Sequence, residues 1–182
     1  TDKASGKQLA VGDFSFSEGL DKMLIFTNTR KVWRYHTRGD YCVLDRKSGV
    51  LHQLGKGLPE SSLMFAKFSP DASKVAYVSK NNIYVEDLQT KTYKAITTDG
   101  NDTIVNGTFD WVYEEEFDCR DGFRWSGDSK FIAYWPEEIN YSSSRWTAHS
   151  TPTKCGRLQL GRTICRTSLK TATKLGWRPT TK

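Results

Sequence analysis

The 182-residue sequence has few cysteines, few histidines and no long apolar run. Its apolar stretches, such as Met23-Leu24-Ile25-Phe26, are too short to cross a bilayer, so no membrane-spanning segment is predicted. The four cysteines show no CxxC spacing, which gives no indication of a metal or redox site, and free thiols are expected. The three histidines form no metal-ligand pattern. The sequence therefore predicts no metal and no cofactor.

Acidic side chains are missing from residues 139–182, which contain nine Lys or Arg. Of the net charge of +6, this stretch contributes +9, and residues 1–138 therefore carry −3. Nucleic-acid binding would have to rest on this tail alone, so no nucleic acid is predicted as a partner. The tail also lacks strand alternation, which predicts a basic, low-structure and disordered segment over 139–182. Two origins remain open, a frameshifted reading frame and a genuine basic arm.

Residues 1–138 contain a repeated strand–turn–strand unit. The unit occurs at residues 14–26, 66–78 and 123–135, with Ser17, Ser69 and Ser126 at equivalent positions, 52 and 57 residues apart. Ser, Asp, Pro and Gly occupy the middle of each unit, and they favour tight turns between β-branched and aromatic runs. The first two units continue with two more predicted strands each, at 40–45 and 50–54 and at 82–87 and 93–96.

Four short strands in roughly 40–50 residues are typical of one blade of a β-propeller. The sequence therefore predicts an all-β fold, a partial β-propeller of about two and a half four-stranded blades, over residues 1–138. Because propellers usually have about 4–8 blades, the chain is expected to be a fragment of a larger ring. The extra residues of the repeat lie at 27–39 and 97–120, and we expect them to form inserted loops on the binding face.

The second insertion carries three consecutive glutamates, Glu114, Glu115 and Glu116, among aromatic residues. On a helical turn Glu115 and Glu116 would lie about 100° apart, and both could reach one cation. Asp110 is the predicted N-cap of such a turn. The pattern permits a two-carboxylate site for an ammonium group. The residues alone leave open a solvated acidic loop with aromatic side chains packed beneath it.

The run Asn106-Gly-Thr-Phe-Asp-Trp-Val-Tyr-Glu-Glu-Glu-Phe117 resembles a motif in the N-terminal β-propeller of the dipeptidyl peptidase IV family. These proteins are serine exopeptidases of the prolyl oligopeptidase type, and the resemblance covers about residues 13–135. It implies that Glu115 and Glu116 bind the free α-ammonium group of a peptide substrate and that Glu114 is structural. Val32-Trp-Arg-Tyr-His36 resembles the family loop whose arginine, here Arg34, donates hydrogen bonds to substrate carbonyl oxygens.

The resemblance implies a serine-type dipeptidyl peptidase that releases Xaa-Pro or Xaa-Ala dipeptides from peptide N-termini. The chain has no G-x-S-x-G nucleophile elbow, so no catalytic residue is predicted in it, and catalysis is assigned to a following α/β-hydrolase domain. The family further implies a homodimer for the complete protein and a periplasmic, extracellular or cell-surface location. The alternative is a non-catalytic relative whose propeller serves as a protein-binding module.

Overall fold

The computed structural model describes residue 6 and residues 8–139, 155–159 and 162–167. It divides into two units, Thr1–Thr98 and Asp99–Lys182, and each is described here by itself. Within the described residues, no helix combines the length and the apolar character that a membrane crossing requires.

The first unit begins with a four-stranded antiparallel sheet in which neighbours along the chain pair in order. Its strands are β1 (Val11–Phe16), β2 (Lys22–Val32), β3 (Tyr35–Asp45) and β4 (Leu51–Gln53). The β1–β2 turn is held by Ser17, whose hydroxyl accepts the Lys22 N–H at 3.1 Å and donates to Asp21 Oδ1 at 2.8 Å. These bonds satisfy turn groups that no strand partner reaches, which explains why Ser and Asp recur there.

A second sheet of the same order completes the first unit. Its strands are β5 (Met64–Phe68), β6 (Lys74–Ser79), β7 (Asn82–Asp87) and β8 (Thr92–Ala95). Apolar side chains from both sheets form one buried cluster: Leu24, Phe26, Tyr41, Val43, Leu54, Leu63, Val75 and Tyr77. Burying a large apolar side chain stabilises a fold by about 1.5–3 kcal/mol, so this cluster is the main source of stability in the unit.

A buried carboxylate, that of Glu86 on β7, joins the two sheets of the first unit. Its side chain is 1% exposed and accepts the Gly55 N–H at 2.8 Å and the Tyr77 hydroxyl at 3.0 Å. The Nε2 atom of His52, on β4, lies 2.7 Å from Glu86 Oε1. Burial and the neighbouring Glu86 carboxylate raise the pKa of Tyr77. Three polar contacts thus compensate a charge that would otherwise be costly to bury.

Seven helices and strands lie among the described residues of the second unit. They are β9 (Ile104–Asn106), α1 (Trp111–Phe117), β10 (Phe123–Trp125), β11 (Phe131–Tyr134), β12 (Pro136–Glu138), β13 (Cys155–Gln159) and β14 (Arg162–Thr167). One sheet has the order β10-β11-β13-β14, and β12 pairs with β9 in a two-stranded antiparallel sheet. The turn between β10 and β11 repeats the earlier pattern, because the Ser126 hydroxyl donates to Asp128 Oδ1 at 2.6 Å. The all-β, partial-propeller prediction is confirmed.

The first insertion differs from the expected loop. Strands β2 and β3 continue through most of residues 27–39, with Arg30 opposite Arg38 and Val32 opposite Tyr35, so that only Trp33 and Arg34 remain between them. The hydrogen bonds of a strand ladder are made by the backbone, so a polar, charged run can extend a hairpin without apolar alternation. The predicted loop is therefore a projecting β-hairpin.

The stretch 139–182 also differs from its expectation where it is described. Strand β13 pairs with β11, Phe131 opposite Gln159, and β14 pairs with β13, so the third blade has four strands. Little structure was expected because side-chain alternation is missing from this stretch. Pairing at a sheet edge depends on backbone groups and does not need that alternation. The rest of the stretch lies outside the described residues, and the boundary between residues 138 and 139 stays a prediction.

Candidate functional site

The candidate site is carried by an excursion of the chain between β9 and β10. Its base is closed by the Gly122 N–H, which donates to the Gly107 carbonyl at 2.9 Å, and by a bridge between Thr108 and Asp121. A Cβ atom at Gly122 would lie 3.1 Å from the Gly107 carbonyl carbon, closer than backbone normally allows. The two ends of the excursion therefore meet tightly, which limits the motion of what lies between them.

Helix α1 fills the excursion and has both caps in place. The Asp110 carboxylate accepts the Tyr113 N–H at 3.0 Å, with extended backbone at Asp110 as expected of an N-cap. The helix ends at Asp118, which is left-handed with a φ of 52°, and the Cys119 N–H donates to the Tyr113 carbonyl at 3.1 Å. The glutamates thus lie on the helical turn that the sequence permits, and Asp110 is its N-cap.

The three glutamates of α1 lie in different environments. Glu114 is buried, at 9% exposure, whereas Glu115 is half-buried and Glu116 is exposed. Glu114 Oε1 lies 3.9 Å from Arg120 Nε, which is longer than a hydrogen bond. Burial raises the pKa of Glu114, and the Arg120 charge opposes that rise. The helix thus directs one carboxylate into the fold and keeps its two neighbours accessible.

Aromatic side chains of the glutamate helix and of neighbouring segments pack against one another. The Phe109 ring stacks on Tyr113 at 5.4 Å between centroids and lies 6.5 Å from Trp135, while Tyr113 and Phe117 are 5.6 Å apart. Phe117 is 65% exposed. The Tyr113 ring thus anchors the helix on Phe109, and the Phe117 ring stays largely in solvent.

A second buried carboxylate, that of Glu137, lies behind the helix cap. It is 8% exposed, and its Oε2 atom accepts the Asp110 N–H at 3.1 Å. Burial and the charge of Asp110 raise the pKa of Glu137 to about 7, and the hydrogen bond from the Asp110 N–H opposes the rise. The sequence analysis missed this residue. Its partner is 27 positions away, and no local pattern connects the two.

Arg34 occupies the tip of the hairpin formed by β2 and β3. Its side chain is exposed, and the preceding Trp33 has a φ of 55° and is 67% exposed. The sequence placed Arg34 in an inserted loop, whereas the structure places it at the turn of a β-hairpin. Arg34 belongs to the first unit and the glutamates to the second, and the roles predicted for all three residues stay predictions at this point.

Four-stranded antiparallel sheets that follow one another along the chain, together with a capped helix that carries three glutamates, are typical of part of a β-propeller domain. The chain belongs to the family described as the dipeptidyl peptidase IV (DPP IV) N-terminal region, whose model matches residues 17–143.

Two fungal relatives show the same likeness. The chain is 38% identical over 119 residues to a probable dipeptidyl-aminopeptidase B of Arthroderma gypseum and 36% identical over 132 residues to the dipeptidyl aminopeptidase B of Saccharomyces cerevisiae. These alignments cover 65% and 71% of this chain but only 13% and 16% of the relatives. The chain thus corresponds to a small part of the length of the proteins it matches.

Solved structures agree with the fold. The crystal structure of Porphyromonas gingivalis dipeptidyl peptidase 4 is 25% identical, with a TM-score of 0.77, over 92% of this chain and 26% of that chain. The tricorn protease is 15% identical, with a TM-score of 0.56, over 90% of this chain and 14% of that chain, and that likeness concerns the fold alone.

Proposed function

We propose that this chain is the substrate-anchoring part of a serine-type dipeptidyl peptidase that releases Xaa-Pro or Xaa-Ala dipeptides from peptide N-termini. The supporting observation is the capped helix α1, on which Glu115 and Glu116 are accessible while Glu114 is buried. The catalytic nucleophile belongs to an α/β-hydrolase domain of a longer protein. That protein is a homodimer with a periplasmic, extracellular or cell-surface location, which is supported only by the family resemblance.

The proposed ligand of Glu115 and Glu116 is the free α-ammonium group of the substrate. An α-amino group titrates near about 7.7–8.0 and a glutamate near about 4.3, so opposite charges coexist at neutral pH. Carboxylates on consecutive helix positions are separated by about 100°, which allows both to accept hydrogen bonds from one ammonium group.

The proposed role of Arg34 is to hold a backbone carbonyl of the substrate. A guanidinium group offers several N–H donors in a fixed plane, which orients an acceptor better than a single ammonium donor would. Its exposed position at a hairpin tip supports this role. Holding the peptide at its amino group and at a carbonyl fixes the distance from the N-terminus to the scissile bond, which is a positioning contribution to catalysis.

Kinetics of the peptidase that contains this chain test the ammonium site. Glu115→Gln and Glu116→Gln each remove one partner of a charge pair, a change that costs about 2–5 kcal/mol. The value of kcat/KM for a Gly-Pro chromogenic substrate should fall by roughly two decades or more, at about 1.4 kcal/mol per decade. Glu114→Gln should have a smaller effect, and the exposed Glu60→Gln none.

An N-acetylated substrate provides the matched comparison, because it lacks the ammonium charge. The wild-type enzyme should cleave it poorly, and Glu115→Gln and Glu116→Gln should lose little further activity on it. Wild-type efficiency of both variants on free-amine substrates would show that the ammonium assignment is wrong. A full-length protein that binds partner proteins but has no peptidase activity would favour the non-catalytic alternative.

A further inference from the structure

The buried carboxylate of Glu137 belongs neither to the Ser–Asp turns of the blades nor to their apolar core. It lies on the short strand β12, which pairs with β9 so that Glu137 stands opposite Val105. The ends of this ladder are fixed, because the Gly107 N–H donates to the Trp135 carbonyl at 3.1 Å and the Ile139 N–H donates to the Thr103 carbonyl at 2.7 Å. The backbone that carries Glu137 is therefore well defined.

The side chain of Glu137 contacts the helix at the residue that starts it. Its Oε2 atom accepts the N–H of Asp110 at 3.1 Å, and the carboxylate of Asp110 in turn accepts the Tyr113 N–H at 3.0 Å. A relay of two hydrogen bonds thus runs from strand β12, through the N-cap, to the first turn of α1. The helix has only seven residues, and so short a helix depends on such outside contacts to keep one orientation.

We propose that Glu137 is a positioning residue that fixes the N-terminus of helix α1 and thereby the directions of the Glu115 and Glu116 side chains. Its contact is with the backbone of Asp110, so it acts through the helix. The proposal concerns the helix first. Its consequence for substrate rests on the proposed ammonium site.

If Glu137 positions the helix, the oxygen that accepts the Asp110 N–H should matter more than the negative charge. A glutamine at the same position would keep an oxygen for the Asp110 N–H and would remove the charge, whereas an alanine would leave that half-buried N–H without its acceptor. An unsatisfied donor away from bulk water is costly, and the helix would relax to expose it to water. The two substitutions therefore separate the hydrogen bond from the charge.

Hydrogen exchange on this chain, with the amides of Tyr113–Phe117 as the readout, tests the positioning. Glu137→Ala should lower their protection roughly tenfold, while Glu137→Gln should keep it at the wild-type value or above. Glu138→Gln, an exposed change on the same strand, is the matched control and should leave protection unchanged. Equal protection of the α1 amides in Glu137→Ala and the wild type would overturn the proposal.

Kinetics of the peptidase that contains this chain test the consequence for substrate. Glu137→Ala should raise KM for a free-amine dipeptide substrate roughly tenfold with little change on an acetylated one, and Glu137→Gln should restore KM. An unchanged KM in Glu137→Ala, together with a strong loss in Glu115→Gln and Glu116→Gln, would overturn the link between positioning and substrate while the ammonium site stands. No loss in those two variants would instead contradict the ammonium site, and the exchange experiment would still decide the positioning.

Discussion

Two buried carboxylates, Glu86 of the first unit and Glu137 of the second, have contrasting surroundings. Glu86 in the blade core meets three polar groups, the Gly55 N–H, the Tyr77 hydroxyl and His52 Nε2. Glu137, behind the cap of the glutamate helix, accepts the Asp110 N–H, and the negative charge of Asp110 lies beside it. A buried charge is tolerated when donors compensate it, and otherwise the group holds its proton.

The difference separates a structural carboxylate from one linked to a candidate site. The network of Glu86 joins strands from two blades, and the Glu86 side chain at its centre is only 1% exposed. Glu137 instead contacts Asp110, the N-cap of the helix that carries the accessible glutamates. Polar groups whose titration is shifted by burial and by a specific neighbour tend to occur at functional sites, and Glu137 follows that tendency.

The largest expected effect on stability comes from removing the Glu86 carboxylate. Glu86→Ala leaves the Gly55 N–H, the Tyr77 hydroxyl and His52 without their common partner, and breaking a buried polar network of this kind costs about 3–5 kcal/mol. Hydrogen exchange at the paired amides of β6 and β7 in rising urea measures the free energy of unfolding of this unit.

Two variants calibrate that measurement. Glu86→Gln keeps an acceptor oxygen and should cost less than Glu86→Ala, while the exposed Glu60→Ala should stay within about 0.5 kcal/mol of the wild type. A loss of less than about 1 kcal/mol in Glu86→Ala would show that the network does not hold the two blades together.

Much of this contrast lies outside what the sequence could predict. The turns could be predicted because Ser17 and Asp21, like Ser126 and Asp128, are close in sequence and satisfy local backbone groups. The Asp110 cap could be assigned to a helical turn for the same reason, although the sequence did not decide between a turn and a strand at the glutamates. Glu86 and His52, however, are 34 residues apart, and Glu137 and Asp110 are 27 apart. Those pairs are created by strand pairing, and no local pattern marks them.

Two fold expectations were incomplete, for different reasons. Residues 27–39 were expected to form a loop because they exceed the length of a minimal repeat, and residues 139–182 were expected to have little structure because they lack strand alternation. The hairpin extension across residues 30–38 and the pairing of β13 with β11 depend instead on backbone hydrogen bonds. Alternation marks strands with one buried face, and it misses strands that project from a sheet or complete its edge.

The second expected effect is a pH dependence that distinguishes the second unit from the first. The pKa of Glu137 is raised to about 7 from 4.5, so its contribution to stability is fully present below pH 4.5 and is lost as the pH rises towards 7. The total loss is roughly 3 kcal/mol, because the unfolded chain ionises while the folded one holds its proton. Asp110 is the charged neighbour, and β9, which pairs with β12, carries no ionisable side chain.

Unfolding free energies of wild type and Glu137→Gln between pH 4.5 and 8 measure this dependence in the second unit. Relative to the wild type, the free energy of unfolding of Glu137→Gln should rise by roughly 3 kcal/mol across that interval. Above pH 7 the difference between the two proteins should stay constant. A constant difference over the whole interval would show that Glu137 titrates normally in the folded protein.

The smallest expected effect separates the two roles of Asp110, which caps α1 and also repels the Glu137 charge. At pH 5 Glu137 is protonated, so only the cap matters: Asp110→Ala should cost about 1 kcal/mol, while Asp110→Asn, an equally good cap, should cost almost nothing. At pH 8 the stability of each variant, measured relative to the wild type, should be higher than it is at pH 5. The reason is that the ionised Glu137 no longer faces a second carboxylate. Carbon-13 NMR of the Glu137 carboxyl should show its pKa falling in both variants. If that pKa stays near 7 in both, burial alone sets it, and the contrast with Glu86 reduces to the number of donors each carboxylate receives.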